Sequence, residues 1–362
     1  MNTPINKTCY NLLFRNYPQY EVLRQELLKL FYRRALTTGE KVDCYVNVNA
    51  YIRSIYHRKD YVFETFSIVA SLINFSAHIR EFFASRFSIY ARIFLVYGNQ
   101  RPESSVQYIP EYDSHNEMDR QTVNIDLEKE FSLLSEIVKY IPQVYFVRST
   151  VTDPAVVIRE LIKIQSKQGI KDPRLIFSKD LYDYQLVATC PNTHLIRVSK
   201  TIQGDKTFTV SYFDFYKKLT KVLHLKNQIG EGVSPELYSV YMTLAGCKDR
   251  NMQGIMNNPR ADTLIKSLIN NCIMFNGYNP SLSVNPESFE IFFDTVDEKA
   301  GDHIFLYNRF CAMDILHQSN LFNLNPEYHI ITKDIVDLYD PEGMRHLNSK
   351  LFKKFPLDLN VF

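Results

Sequence analysis

Short apolar runs, separated by longer stretches of helical periodicity, set the rhythm of this chain. Leu23, Leu27, Leu28, Leu30, Phe31 and Leu36 recur at helical spacing, and Thr37-Thr38-Gly39 stops the stripe. Cys44-Tyr45-Val46 follows as a short apolar run that closes on polar Asn47 and Asn49. A helical pattern extends from about Asp60 to Ser85. The run Ala91-Arg92-Ile93-Phe94-Leu95-Val96-Tyr97, bounded by Gly98-Asn99, reads as a buried strand. Residues 98–126 are a long polar excursion with Pro102, Pro110 and no apolar period, either a mobile loop or a partner-binding segment. Alternation then resumes: a helix over Leu127 to Tyr140, a strand over Val144 to Val147, a helix from Pro154 to Gln168 opened by Asp153, and a strand at Leu175-Ile176-Phe177. Tyr184 to Cys190 and His194 to Val198 read as two strands of a ribbon. Beyond about residue 212 the pattern turns helical, with a glycine-bounded turn, Gly246 to Gly254, between helices over 235–245 and about 260–271.

Strand and helix alternating over short connections predict an α/β fold, a parallel sheet with helices on both faces, followed by a mostly helical C-terminal region. The expected division is an N-terminal helical extension (1–42), an α/β domain (43–212, with 98–126 as its long loop), a helical clamp-like region (213–275) and a C-terminal extension (276–362). Chemistry in such sheets sits beyond the strand carboxyl ends. Asn47, Tyr97, the segment 148–153 and Asp180 are therefore the positions of interest.

Composition narrows this modestly. Hydrophobic residues at 45% and charged residues at 23% are an ordinary globular balance, which argues against disorder. A net charge of +2 provides no global field toward a polyanion, so nucleic-acid contact would rest on local patches. The cysteines (Cys9, Cys44, Cys190, Cys247, Cys272, Cys311) include no C-x-x-C pair and read as reduced thiols. Charged residues throughout the first thirty positions exclude a signal-peptide core, and no apolar run approaches the roughly 18 to 20 residues that cross a bilayer. The expectation is a cytoplasmic protein, in the host cell or a virion if viral. The 25 Phe and 24 Tyr with no Trp suit a phage or viral genome and leave aromatics for protein interfaces. No H-x-H or H-x-x-x-H pair, G-x-S-x-G elbow, Walker A loop or G-x-G-x-x-G is present.

The strand ends carry a family resemblance. Ile176-Phe177-Ser178-Lys179-Asp180-Leu181-Tyr182-Asp183-Tyr184-Gln185-Leu186-Val187 resembles the strand–Asp–x–Asp–x–x–Gln–Leu–Val segment of the 5′-3′ exonuclease and flap-endonuclease superfamily, related to PIN domains. Leu244-Ala245-Gly246-Cys247-Lys248-Asp249-Arg250-Asn251-Met252-Gln253-Gly254-Ile255 resembles the Leu-Ala-Gly-Asp-x-x-Asp-Asn-x-x-Gly-Ile turn that opens that family's DNA-backbone clamp. Val46-Asn47-Val48-Asn49 with Arg53 sits where the family has Asp-Gly-Asn and a following Arg. Ile93 to Gly98 sits where it has a strand ending in Asp-Gly, and Val151-Thr152-Asp153-Pro154 where it has Glu-Ala-Asp-Asp. The likeness spans roughly residues 43–272, in order.

What the resemblance implies is an enzyme whose carboxylates hold Mg²⁺ or Mn²⁺ ions that activate the attacking water. This chain departs from it. Asn47, Tyr97, Val151, Pro154, Tyr182, Cys247 and Arg250 stand where the family has acids, and only Asp153 and Asp180 match as residual, weak metal ligands. Asp43, Asp183 and Asp249 lie nearby but out of phase; on an extended segment Asp183 and Asp249 would point to the other face unless a local shift recruits them. Cys247 reads as a small replacement for a lost ligand. No catalytic residue is assigned, and no cofactor beyond a weakly held Mg²⁺ or Mn²⁺. Lys248, Arg250, Asn251, Arg260 and Lys266 are the candidate nucleic-acid-binding residues, and Lys217, Lys218, Lys221 and Lys226 form a second basic cluster; solvated helix faces are the alternative for both. The region 98–126, where the family threads a 5′ end, is acidic (Glu103, Glu111, Asp113, Glu117, Asp119, Asp126 against Arg101 and Arg120). The expectation is a catalytically degenerate 5′-nuclease fold, leaning away from an enzyme, working as an architectural or interaction subunit of a phage or viral complex in replication, transcription or the virion. An active divergent 5′-nuclease and a non-cutting DNA-binding module are the alternatives.

Overall fold

The apolar runs become the strands of one six-stranded sheet. The computed structural model describes residues 41–56, 67–112, 126–210, 239–255 and 303–323, apart from positions 88, 139, 140, 142, 171, 179, 181, 191, 202, 203, 240, 241 and 245. In chain order β1 (Lys41–Asn47) leads into α1 (Val48–Tyr56) and α2 (Ser67–Phe87), then β2 (Tyr90–Tyr97), α3 (Glu103–Val106) and α4 (Leu127–Val138). These are followed by β3 (Val144–Arg148), α5 (Pro154–Lys167), β4 (Arg174–Phe177), α6 (Tyr184–Thr189), β5 (Thr193–Thr201) and β6 (Gly204–Val210). The helices α7 (His303–Met313) and α8 (Ile315–Asn323) come last among the described residues.

The strand order is β3-β2-β1-β4-β5-β6, parallel from β3 through β5, with β6 antiparallel on β5. The chain first builds outward from β1 through β2 and β3, then returns to the other side of β1 with β4. Alternate residues of each strand enter opposite cores. Tyr45, Phe94, Val96 and Ile176 pack with α5, α6, α7 and α8; Cys44, Val46, Ile93, Leu95, Leu175 and Phe177 pack with α1, α2 and α4. Helices therefore cover both faces, as expected.

Local signals explain α5 well. Asp153 caps it by accepting from Ala155 N–H (2.9 Å), and Pro154 occupies the first helical position, where no N–H is needed. Gly169, at φ 78°, ends it: Gly169 N–H donates to Ser166 O (3.1 Å) and Ile170 N–H to Gln165 O (3.0 Å).

The structure corrects the sequence reading in two places and adds to it in a third. Tyr184–Thr189 is helix α6 rather than a strand, and the ribbon is instead β5 with the unforeseen β6. Residues 98–112 are not a bare polar excursion: α3 forms there, and Ile109 and Tyr112 are buried. The C-terminal helices share the central core, since Leu306, Met313 and Ile315 pack in the same cluster as Tyr45 and Ile176. Gln185 holds the break between α7 and α8, donating to Met313 O (3.0 Å) and accepting from Ile315 N–H (3.1 Å). Ser239 and Met242–Leu244 are helical, as expected for 235–245. The extension 1–40 and the expected helix 260–271 lie outside the described residues. No helix among the described residues is long and apolar enough to cross a membrane.

One close approach positions the strand ends. Asn49, at the start of α1, grips Gly98 at the end of β2 on both sides, donating to its O (2.9 Å) and accepting from its N–H (3.0 Å). A Cβ on Gly98 would lie 2.3 Å from Pro154 N and 2.5 Å from Pro154 Cδ, so only glycine lets the β2 end meet the α5 start. Gly98→Ala is expected to lower unfolding stability by about 3 kcal/mol in urea titrations, since the clash is with backbone. Gly169→Ala meets nothing within 4 Å and carries only its backbone penalty, about 1 kcal/mol. Equal costs at the two positions would contradict the packing described.

Candidate carboxylate site

The carboxyl ends of β1 and β4 lie side by side where the strand order reverses, and buried polar residues leaving them meet there. Asn47, the last residue of β1, accepts from Ala50 N–H at the start of α1 (3.0 Å) and donates its Nδ2 to Asp183 Oδ2 (2.8 Å). Asp180 follows β4. Its N–H donates to Ser178 Oγ (3.0 Å) and its Oδ1 accepts from Tyr182 N–H (3.0 Å), a local turn that leaves Oδ2 for other partners. Asp153 arrives from α5 with Oδ1 used in the cap and Oδ2 toward Asp180's partner.

That partner is Arg250. It ends a short 3₁₀ turn, Lys248–Arg250, inside the tight loop that follows Gly246. Gly246 at φ 84° and Asn251 at φ 55° allow the reversal, and Cys247 and Met252 pair across it with two 3.0 Å hydrogen bonds. The Arg250 guanidinium reaches the sheet end. Its Nη2 lies 2.9 Å from Asp153 Oδ2, its Nη1 donates to Asp180 Oδ2, and its Nε donates to Tyr112 Oη (2.9 Å). The Tyr182 ring lies beneath it, 4.4 Å from Cζ to centroid. Arg250, Tyr112 and Tyr182 are all 0% exposed. Arg53 of α1 closes the outer side, with Nη2 3.4 Å from Asp180 Oδ2 and Nη1 3.9 Å from Asp249 Oδ1.

The electrostatics follow from that enclosure. Burial works against the Arg250 cation, but Asp153 and Asp180 outweigh it and hold its pKa well above the ordinary value. For Asp180, burial pushes upward while Arg250 and Arg53 together pull further down, so its carboxyl lies below the usual range. Asp153 is raised by burial, which Arg250 offsets only in part. Asp183 is pushed up to about 8, first by burial and then by the charge of Asp180, with Arg250 and a hydrogen bond from Ser178 offsetting only part of that rise. Burial takes the Cys247 thiol to about 12, so it is no thiolate nucleophile at neutral pH.

The structure thus brings together Asp153 and Asp180, the two expected ligands, with Arg250 between them. Arg250 is not available to a phosphate as expected, because its guanidinium is wholly enclosed. Asp183 was expected on the far face of an extended segment; the chain instead curls into α6 there, and its carboxyl meets Asn47. Asp43 lies at the opposite end of β1, paired with Arg92 Nε at 2.6 Å, and does not reach the site. Tyr97 turns away as well, its ring 4.2 Å from that of Phe131. Asn251 is exposed and donates to Glu111 O (3.2 Å). The Lys248 side chain, Arg260, Lys266 and the basic cluster 217–226 lie outside what is described. Tyr112 escaped the sequence reading: a lone tyrosine in a polar stretch gives no signal of a buried hydroxyl. Among the described residues no group of three or more His, Cys, Asp or Glu is arranged to hold a metal ion.

The raised Asp183 sets a sign for pH dependence. A carboxyl that keeps its proton to about pH 8 in the folded chain, but loses it near pH 4 unfolded, stabilises the fold fully only below about pH 4. That contribution is lost as pH rises toward 8. Asp183→Asn keeps an acceptor for Asn47 without the titration. The variant's unfolding free energy should fall less between pH 5 and 8 than that of the parent chain, and parallel curves would show that Asp183 is ionised throughout.

No family model matches the sequence, and no curated protein matches it. Solved structures do. A bacteriophage T5 flap endonuclease, a variant with one aspartate exchanged for lysine described as a pseudo-enzyme–product complex with DNA and metal ions, aligns at a TM-score of 0.50 and 14% identity, covering 83% of this chain and 99% of that one. The T5 5′-exonuclease with bound zinc aligns at a TM-score of 0.50 and 13% identity, covering 83% of this chain and all of that one, 100%. With the sheet order, the covered faces and the strand-end positions already described, these likenesses place the chain in the PIN-like fold of the 5′-3′ exonucleases and flap endonucleases.

Proposed function

We propose that this 5′-nuclease-fold protein does not cut nucleic acid and serves as an architectural or interaction subunit of a phage or viral assembly. The observation that carries the reading is the Arg250 guanidinium buried between Asp153 and Asp180. Divalent ions held by several carboxylates are what the fold implies, and the residues present do not fit them. Both free carboxylate oxygens already face the guanidinium, and Asn47 offers an amide where a ligand would be needed. A divalent ion about 4 Å from that guanidinium would meet several kcal/mol of repulsion even at an effective dielectric near 20. A guanidinium supplies charge but neither coordinates water nor exchanges a proton near neutral pH. One structural neighbour, in which an aspartate is exchanged for lysine, is itself described as a pseudo-enzyme.

A DNA-binding role without cleavage is favoured by one feature, the tight turn from Gly246 to Gly254. Its glycine spacing resembles the family's backbone clamp, and Asn251 at its tip is exposed. Purified protein incubated with a labelled 5′-flap DNA and Mg²⁺ or Mn²⁺ should release no more product than an Asp153→Ala/Asp180→Ala variant. Cleavage by the parent chain alone would overturn the proposal. Uncut but retarded DNA, weakening steeply with salt, would move the protein to the DNA-binding reading; no retardation supports the interaction subunit.

A further inference from the structure

We infer that Arg250 is a tethered replacement for divalent cations, which neutralises the carboxylate site from within and, through that ion pair, latches the turn after Gly246 onto the sheet. The inference rests on the non-cutting reading and names the device that would accompany it.

Two independent observations meet here. The first is charge placement. Asp153 and Asp180 come from separate elements, α5 and the loop after β4, and two buried carboxylates repel unless they share a cation. Arg250 supplies one at 2.9 Å from Asp153 and in direct hydrogen bond with Asp180. The second is the route by which that cation arrives. Arg250 sits within a turn whose backbone pairs Cys247 with Met252 and Leu244 with Ile255, and whose Gln253 carbonyl accepts from Arg309 of α7. Cys247 and Met252 add apolar packing in the core under the sheet, but the charged contacts of the turn to the sheet end are those of Arg250, with Arg53 beside it bridging Asp249 to Asp180. Removing the guanidinium would leave two buried carboxylates uncompensated and the turn without its central anchor.

Asp183, fully buried and hydrogen-bonded to Asn47 and Ser178, adds a third carboxyl to the pocket beside the two that the guanidinium pairs. A shorter, uncharged residue at 250 should therefore expose a carboxylate cluster to water, and a small hard cation could enter.

Thermal unfolding with and without MnCl₂ or EDTA tests this on the full chain. The parent protein should melt at one temperature in all three conditions. Arg250→Met should melt lower by roughly 6–10 °C and regain part of the loss with Mn²⁺ in a saturable way, and hydrogen exchange should rise at the Cys247 and Met252 amides. Should Arg250→Met not fold, Asp153→Asn/Asp180→Asn/Arg250→Met, which removes both signs of charge, should fold and ignore Mn²⁺. A parent chain stabilised by Mn²⁺, an Arg250→Met that melts like the parent, or a triple variant no more stable than Arg250→Met alone would each overturn the inference. Flap cleavage reads the non-cutting proposal separately: a parent chain that cuts defeats that proposal, whereas one that neither cuts nor gains metal sensitivity when Arg250 is removed defeats only the latch.

Discussion

The fold's functional edge depends on one buried guanidinium. Taking Arg250 out of water costs several kcal/mol, and so does each carboxylate it meets. The arrangement persists because every partner is supplied at once: two anions, the Tyr112 hydroxyl on Nε, and the face of Tyr182. Arg250 comes from the turn after Gly246, and its partners from the stretch after α3, the start of α5 and the loop after β4. Each of those segments is fixed by its own local chemistry, an Asp-Pro helix start in one case and an aspartate turn in another. The ion pair then ties them into a single end face.

That end face also explains why the sheet topology matters more than the individual motifs. Strand order reverses beside β1, so the ends of β1 and β4 open onto a common crevice. In a sheet of this kind the crevice is where charged groups can be buried with backbone amides to support them. Asn49 and Gly98 close its β2 side so tightly that no side chain fits between β2 and α5. What remains is a pocket with fixed walls, whose character is set by the few side chains that point into it. Here those are Asp153 and Asp180, the Arg250 cation between them, and Asp183, whose pKa is pushed upward by burial.

Much of this was legible from residue pattern, and the failures have physical causes. The strands at 91–97, 144–147 and 175–177 stood out because parallel strands covered on both faces are continuous apolar runs. Asp153 was readable because Asp-Pro before an apolar helix is a start signal. Tyr184–Cys190 misled for the same reason that the strands succeeded: a six-residue helix buried on most sides has no polar stripe to betray its period. Asp183 was misplaced because phase arguments assume an extended chain, and the chain there is already turning into α6. Arg250 was read both as a neighbour of the carboxylates, where the structure has it, and as a surface contact, which its burial excludes. Sequence spacing locates a residue on a turn but does not say which side of the turn faces the body.

Tyr112 and Tyr182 show that the arginine did not come alone. A guanidinium placed among carboxylates in an open, hydrated crevice would be solvated and only loosely held, since exposed ion pairs contribute little. Both tyrosines exclude water, and each meets the guanidinium by a different geometry, one through its hydroxyl and one through its ring. Tyr182 stands where the resemblance has a ligand aspartate, and Tyr112 lies in the segment where the resemblance has a gate for a DNA end. The residue that stands where the resemblance has an acid, Tyr182, and the residue from the stretch where it has a gate, Tyr112, are thus the two that wall the cation between Asp153 and Asp180.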